Sequence, residues 1–148
     1  MAKINVYNLN RKRRADVRGI KRFASFAVKK LFKKSDTYFN IVLLTDSGIT
    51  RLNKQFKKVN RATDVLCFCL TPSPSCGGRG RGQMRADIYI SLDRAAVNAR
   101  RYKTAYGREV LIYTAHGLLH AAGMRDATVR ARAAMYRKQD ELIRDYEK

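Results

Sequence analysis

The chain is short of several residue types, and each shortage narrows what the protein can be. It has no tryptophan, two histidines and two prolines among 148 residues. No uninterrupted apolar run approaches the roughly 18–20 residues that span a bilayer. The first residues lack the apolar stretch of a secretory signal. We therefore expect a cytoplasmic protein without a membrane segment and, at this length, a single domain over residues 1–148.

Cysteine is also scarce, with three residues at positions 67, 69 and 76. Their spacing matches no common zinc module. They could form a small metal or redox cluster. The alternative, two small apolar strand residues and one loop thiol, is favoured. The odd count in a reducing compartment argues against a structural disulfide.

Acidic residues number only 12 against 32 basic ones, which gives a net charge of +20. A protein this basic attracts polyanions, and its binding should weaken steeply with salt. A single basic run is usually a solvated helix face or a mobile tail, but several runs in one small chain favour RNA as a partner. Charge alone does not separate RNA from DNA or from an anionic membrane surface. The runs lie at residues 11–14, 29–34, 54–58, 79–85 and 125–137.

Hydrophobic periodicity predicts a mixed set of elements. Strands are expected at residues 3–9, 37–45, 64–70 and 87–91. Helices are expected at 15–32, 92–102, 108–122 and 127–146. Another helix is expected to begin at a cap on Asp46 or Ser47. A break between two helices is expected near Gly107. Residues 71–85 hold both prolines and four glycines and predict a loop. This order predicts an α+β fold, one sheet with helices mainly on a single face.

Both histidines fall in one short segment, His116-Gly-Leu-Leu-His120-Ala-Ala-Gly123-Met-Arg-Asp126. Residues four apart on a helix lie about 6 Å from each other, so both rings can reach one Zn²⁺. Gly123 can adopt the left-handed conformation that ends a helix. Asp126 can then return toward the same ion. Three protein ligands with one open position are typical of a catalytic zinc.

Two histidines with this spacing alone are more often partly buried side chains. The Gly-x-x-Asp continuation, and the absence of any other histidine, favour one Zn²⁺ or another divalent transition metal at His116, His120 and Asp126. Zinc proteases of the H-E-x-x-H type carry their general base where this chain has Gly117, which disfavours a peptidase. Glu109 could orient a ligand histidine or act as a favourable charge in the first helical turn, and the second role is favoured.

The histidine segment resembles the H-G-x-L-H-x-x-G motif of the YbeY family of metal-dependent endoribonucleases. Asp126 stands where that family usually has a third histidine, and Arg125 where it has aspartate. Residues 52–68 are similar to the family segment L-N-x-x-Y-R-x-x-x-x-P-T-D-V-L-S-F, with Lys57 at the position of an arginine that the family uses in catalysis. Residues 86–91 are similar to its G-D-I-x-I-S strand.

The resemblance implies a mixed sheet of about four strands. It implies a zinc-dependent, single-strand-specific endoribonuclease acting in ribosomal RNA maturation and ribosome quality control. RNA, above all ribosomal RNA, and the small ribosomal subunit are the implied partners. Lys57 would be catalytic, with His116, His120 and Asp126 as metal ligands. Two alternatives stay open, a catalytically weak RNA- or ribosome-binding factor and a zinc hydrolase of a non-nucleic substrate. The oligomeric state does not follow from the sequence.

Overall fold

A four-stranded sheet and five helices make up the part of the chain that the computed structural model describes, residues 2–33, 36–71 and 83–148. The fold is α+β, as expected. The strands are β1 (Ala2–Asn8), β2 (Thr37–Leu44), β3 (Val65–Cys69) and β4 (Met84–Ser91). The helices are α1 (Val17–Leu31), α2 (Asp46–Lys57), α3 (Leu92–Tyr102), α4 (Tyr106–Ala121) and α5 (Val129–Glu147).

The sheet is mixed, which confirms the expectation. Its strand order is β1-β2-β4-β3, with β1 parallel to β2, β2 parallel to β4, and β3 antiparallel to β4. Ile4 pairs with Phe39 and Phe39 with Ala86, so one row of buried side chains crosses three strands. Sequential hairpin pairing could not give this order, because β2 and β4 are neighbours while β3 occupies the edge.

One face of the sheet is apolar and carries most of the helices. Alternate residues of β2 and β4 are buried there, as period-two alternation requires: Thr37, Phe39, Ile41, Leu43, Met84, Ala86, Ile88 and Ile90. α1 packs on β1 and on α4, and α4 in turn packs on α3, α5, β3 and β4. α2 reaches the opposite face, where the Phe56 ring lies 5.3 Å from that of Phe68.

Most element boundaries lie within two residues of expectation, and three of the differences have a structural cause. Thr45 caps α2 by accepting the Gly48 N–H at 3.1 Å, in place of Asp46 or Ser47. The break between α3 and α4 lies at Lys103, with φ of 55°, while Gly107 is inside α4. β4 begins three residues before the predicted strand, because its pairing with β2 extends beyond the alternating segment. Most of the predicted loop, residues 72–82, lies outside the described residues.

The structure corrects one expectation about the cysteines. Cys69 is disulfide-bonded, so the expectation of no structural disulfide is wrong: an odd count still allows one pair. Its partner lies outside the described residues.

Among the helices of the described ranges, none has the length and apolar character to cross a membrane.

Gly117 marks the closest approach of α4 to the sheet. A Cβ atom built there would lie 2.6 Å from Ile88 Cγ2 and 3.3 Å from Val65 Cγ1. Ile88 is fully buried and branched at that carbon, so it has little room to yield. Glycine at this position therefore fixes how closely α4, and the histidines on it, pack against β3 and β4.

We expect Gly117→Ala to lower the free energy of unfolding by about 1–3 kcal/mol, because overpacking outweighs the better helix propensity of alanine. Gly107→Ala, in the same helix, is the matched control, since a Cβ there meets no atom within 4 Å. That variant should be neutral or gain up to ~1 kcal/mol. Denaturant titrations at unchanged m-value measure both. Equal effects from the two substitutions would contradict the packing argument.

Candidate metal centre

The three predicted ligand atoms converge at the end of α4. His116 and His120 lie one turn apart, with their Nε2 atoms 3.0 Å from each other. Asp126 Oδ2 lies 3.6 Å from His116 Nε2 and 3.3 Å from His120 Nε2. These residues form a group whose ligand atoms all lie within 4.8 Å of one another.

The turn after α4 brings the carboxylate back to the histidines. Gly123 has φ of 100°, the left-handed region that glycine adopts without strain. Gly123 N–H donates to His120 O at 3.0 Å, and Met124 N–H donates to Leu119 O at 3.0 Å. The chain therefore reverses within three residues, as the Gly-x-x-Asp spacing predicts, and Asp126 faces the last turn of the helix.

Each imidazole is oriented by a hydrogen bond at its other nitrogen. His120 Nδ1 lies 3.1 Å from the Met124 carbonyl oxygen, and His116 Nδ1 lies 2.6 Å from Gln139 Oε1. Carbonyl oxygens only accept, so each Nδ1 donates its proton to its partner and each Nε2 faces the cluster. Metal-binding histidines commonly have such outer partners.

The cluster fits a divalent metal. Two imidazole nitrogens and a carboxylate oxygen face one another, and these are atom types that bind zinc in proteins. Tetrahedral zinc ligands at 2.0–2.1 Å from the ion are about 3.3 Å apart, and the 3.0–3.6 Å separations here bracket that value. Burial and the neighbouring His116 lower the pKa of His120, against an opposing effect of Asp126. Neutral imidazole is the form that binds metal.

Gln139 is a site residue that the sequence interpretation missed. It lies on α5 and is 3% exposed. Its signal in the sequence is a polar residue inside the buried stripe formed by Met135, Leu142 and Ile143. Glu109, the residue weighed for this role, instead accepts a hydrogen bond from Thr104 Oγ1 at 2.7 Å at the start of α4. The favoured interpretation of Glu109, as a charge in the first helical turn, agrees with this position.

Two cavities open on either side of the cluster. One of about 290 Å³ is lined by Thr63, Asp64, Tyr136 and Gln139 beside the three ligand residues. The other, of about 350 Å³, places Lys57, Cys67 and Arg125 beside His120 and Asp126. Lys57 is the last residue of α2, and its Nζ lies 5.8 Å from the centre of the Phe68 ring. The structure thus brings Lys57 to the same cavity as two of the predicted ligands.

The cysteine nearest the cluster is not activated. Burial raises the pKa of the Cys67 thiol to about 12, with Lys57 lowering it and Asp87 raising it further. A thiol in this state is neutral near pH 7 and is a poor nucleophile or metal ligand. The favoured interpretation of Cys67 as a small apolar strand residue is consistent with this.

Fold and site together define a small α+β protein with a three-ligand, metal-type centre at the open end of a central helix. The family model for the endoribonuclease YbeY matches residues 5–147. The chain belongs to the YbeY endoribonuclease family. This confirms the resemblance seen in the motifs, and it gives the chain its class of enzyme, an RNA-cleaving hydrolase.

Individual relatives agree with that membership. The chain is 32% identical to the endoribonuclease YbeY of Oenococcus oeni over 134 residues, which cover 88% of this chain and 86% of the relative. It is 35% identical to that of Salinibacter ruber over 109 residues, covering 72% and 69%. The solution structure of TM1509 from Thermotoga maritima superposes with a TM-score of 0.64 at 26% identity, covering 95% of this chain and 86% of that one.

We expect Gln139→Leu to weaken metal affinity about 10- to 100-fold, because His116 Nδ1–H loses its acceptor and the ring its fixed orientation. Gln139→Glu keeps an acceptor at the same place and is the matched control. Chelator competition at pH 7 measures the affinity of both variants. Parental affinity in Gln139→Leu would show that Gln139 only fills space.

Proposed function

We propose that the chain is a metal-dependent endoribonuclease that hydrolyses phosphodiester bonds in single-stranded RNA. His116, His120 and Asp126 are its ligands for one Zn²⁺ or another divalent transition metal, and Lys57 is its catalytic cation. The observation that carries the proposal is the convergence of two imidazole nitrogens and a carboxylate oxygen beside a cavity that Lys57 also lines.

The metal, when bound, would polarise a phosphoryl oxygen and acidify a coordinated water. Two cationic side chains of the protein would also act on the charge of the phosphate. Lys57 lines the cavity beside His120 and can stabilise the charge that builds on the phosphate in the transition state. Asp126 adds a negative charge that a third histidine would not, and this charge disfavours the approach of phosphate. Arg125, exposed on the same cavity wall, offsets it.

No carboxylate takes the place of the H-E-x-x-H glutamate, because Gly117 faces the sheet and has no room for a side chain. Asp64 lines the other cavity together with His116, and its carboxylate pairs with Arg94 Nε at 3.6 Å. The nucleophile is water or the 2′-OH of the RNA. The products separate these: 2′-OH attack leaves a 2′,3′-cyclic phosphate, whereas hydrolysis by water leaves a linear phosphate.

The cellular role we propose is maturation and quality control of ribosomal RNA in the cytoplasm, with the small ribosomal subunit as partner. Family membership and the net charge of +20 support it. A catalytically weak RNA-binding factor is the second candidate. It is favoured by three departures from the family motifs that line one cavity, lysine at position 57, arginine at 125 and aspartate at 126.

Metal content tests the centre first. Purified protein should carry about one equivalent of zinc or another transition metal, measured by elemental mass spectrometry. The double variant His116→Ala/His120→Ala should carry none, because a lone carboxylate holds such an ion weakly. No metal in the parent, and no uptake on addition, would contradict the metal centre and favour an RNA-binding protein with two half-buried histidines.

Cleavage of a single-stranded RNA tests the chemistry. His120→Ala should abolish turnover while keeping most of the RNA affinity. Lys57→Gln should lower kcat by about 10²- to 10³-fold, the cost of removing one transition-state donor, and Lys57→Arg should retain activity. Lys54→Gln, one turn earlier on α2 and also exposed, is the matched control for charge. Turnover unchanged in His120→Ala would rule out the metal mechanism.

A further inference from the structure

We propose that the chain holds RNA at a second surface, a basic furrow at the end of α4 opposite the metal centre, which binds the phosphate backbone of the strand being cut. The identification of the ligand as RNA rests on the proposed function. The furrow itself follows from the shape and charge of residues that take no part in the metal centre.

Three adjoining depressions form the basic furrow. One, of about 570 Å³, lies between the loop after β1 and α3, and includes Arg14, Arg100 and Tyr106. The next, of about 490 Å³, shares Arg14 and Tyr106 and extends to Arg22 on α1. The third, of about 590 Å³, shares Arg22 and continues along α1 to Lys29. The shared residues show that the three depressions adjoin one another on the surface.

The charge of the furrow is almost entirely positive. Its exposed cations include Lys12, Arg14, Lys21, Arg22, Lys29 and Arg100. Within the described ranges, no carboxylate lies within 4.0 Å of any of these six cationic groups. Asp16 is the acidic residue of the lining, and its carboxylate accepts the Gly19 N–H as the cap of α1. The cations are therefore available to an external polyanion.

The loop that carries Lys12 and Arg14 is held in place, which separates it from a mobile basic tail. Asp93 accepts hydrogen bonds from Asn10 Nδ2 at 3.2 Å and from Arg13 Nε at 2.8 Å. Asn10 Oδ1 accepts the N–H groups of Lys12 and Arg13, each at 3.0 Å. Tyr106 O–H donates to the Arg14 carbonyl at 3.0 Å. Fixed cations lose less entropy on binding a strand than mobile ones do.

Distances suit a strand with stacked bases. Tyr106 lies at the start of α4, about 21 Å along the helix from His120 at 1.5 Å per residue. Along α1, residues 18 and 29 are about 16 Å apart, the axial length of roughly five stacked nucleotides at ~3.4 Å each. Half-buried rings of Phe26, Tyr106 and Tyr146 line the floor and offer apolar contact to bases.

Equilibrium binding of a labelled single-stranded RNA of about 20 nucleotides tests the furrow. All proteins carry His116→Ala/His120→Ala, so that the result does not depend on cleavage. The furrow variant adds Arg14→Gln, Arg22→Gln and Arg100→Gln. The control adds Lys3→Gln, Arg51→Gln and Arg137→Gln, exposed cations outside the furrow that remove the same charge.

The furrow variant should bind RNA on the order of 100-fold more weakly at 0.1 M salt. The slope of log K against log salt should also become smaller by about two, because each of the three lost phosphate contacts contributes about 0.7. The control should change far less. Equal losses in the two variants would overturn the furrow in favour of diffuse attraction. Anionic phospholipid vesicles form a second arm, and loss of vesicle binding with RNA binding unchanged would assign the furrow to membranes instead.

Cleavage with the metal ligands intact then separates this inference from the nuclease proposal. The furrow substitutions should raise KM for the long RNA without changing kcat. They should leave an RNA of about five nucleotides, too short to span α4, unaffected. Absence of cleavage in every protein would refute the nuclease while leaving the binding result standing. Parental binding by the furrow variant would refute the furrow while leaving the nuclease standing.

Discussion

The contact between α4 and the sheet at Gly117 is the constraint on which the rest of the site depends. Because Gly117 has no side chain, α4 lies directly against Ile88 and Val65. A bulkier residue at position 117 would push this helix, and the two histidines on it, away from the sheet. His116 and His120 then point away from the sheet toward α5 and the turn. Gly117 also explains why the chain lacks the glutamate of the H-E-x-x-H motif. The position that follows His116 packs against the sheet and has no room for a longer side chain.

The cluster depends on two other elements that meet α4 at its carboxyl end. α5 contributes Gln139, whose buried amide fixes the ring of His116, and the turn at Gly123 contributes both the Met124 carbonyl and Asp126. Polar groups buried in this way are stable only when they are hydrogen-bonded. Their hydrogen bonds fix the orientation of both imidazole rings at the cluster. Asp126 sets the charge of the cluster, because a carboxylate adds a negative charge that a histidine would not.

Local signals in the sequence were sufficient for much of this description. The spacing of His116, His120, Gly123 and Asp126 predicts the cluster, because all four lie within two helical turns and one reversal, where geometry is local. Strand alternation likewise predicts β2 and β4. The partner of His116 was not predictable in this way, since Gln139 is 23 residues away and becomes a neighbour only through the packing of α5 on α4. The start of β4 was misplaced for a related reason, because pairing with β2 extends it beyond its own pattern.

The positions of the basic residues in the folded protein also depend on long-range packing that the sequence pattern does not reveal. The sequence distributes basic runs along the whole chain, and nothing in their spacing tells which of them meet in space. Folding places the run after β1 beside α1 and α3, because the polar side chain of Asn10 and the carboxylate of Asp93 tie that loop to the start of α3. Lys57 and Arg125, from other runs, instead line a cavity beside His120 and Asp126. The excess of positive charge is thereby divided between the two ends of α4.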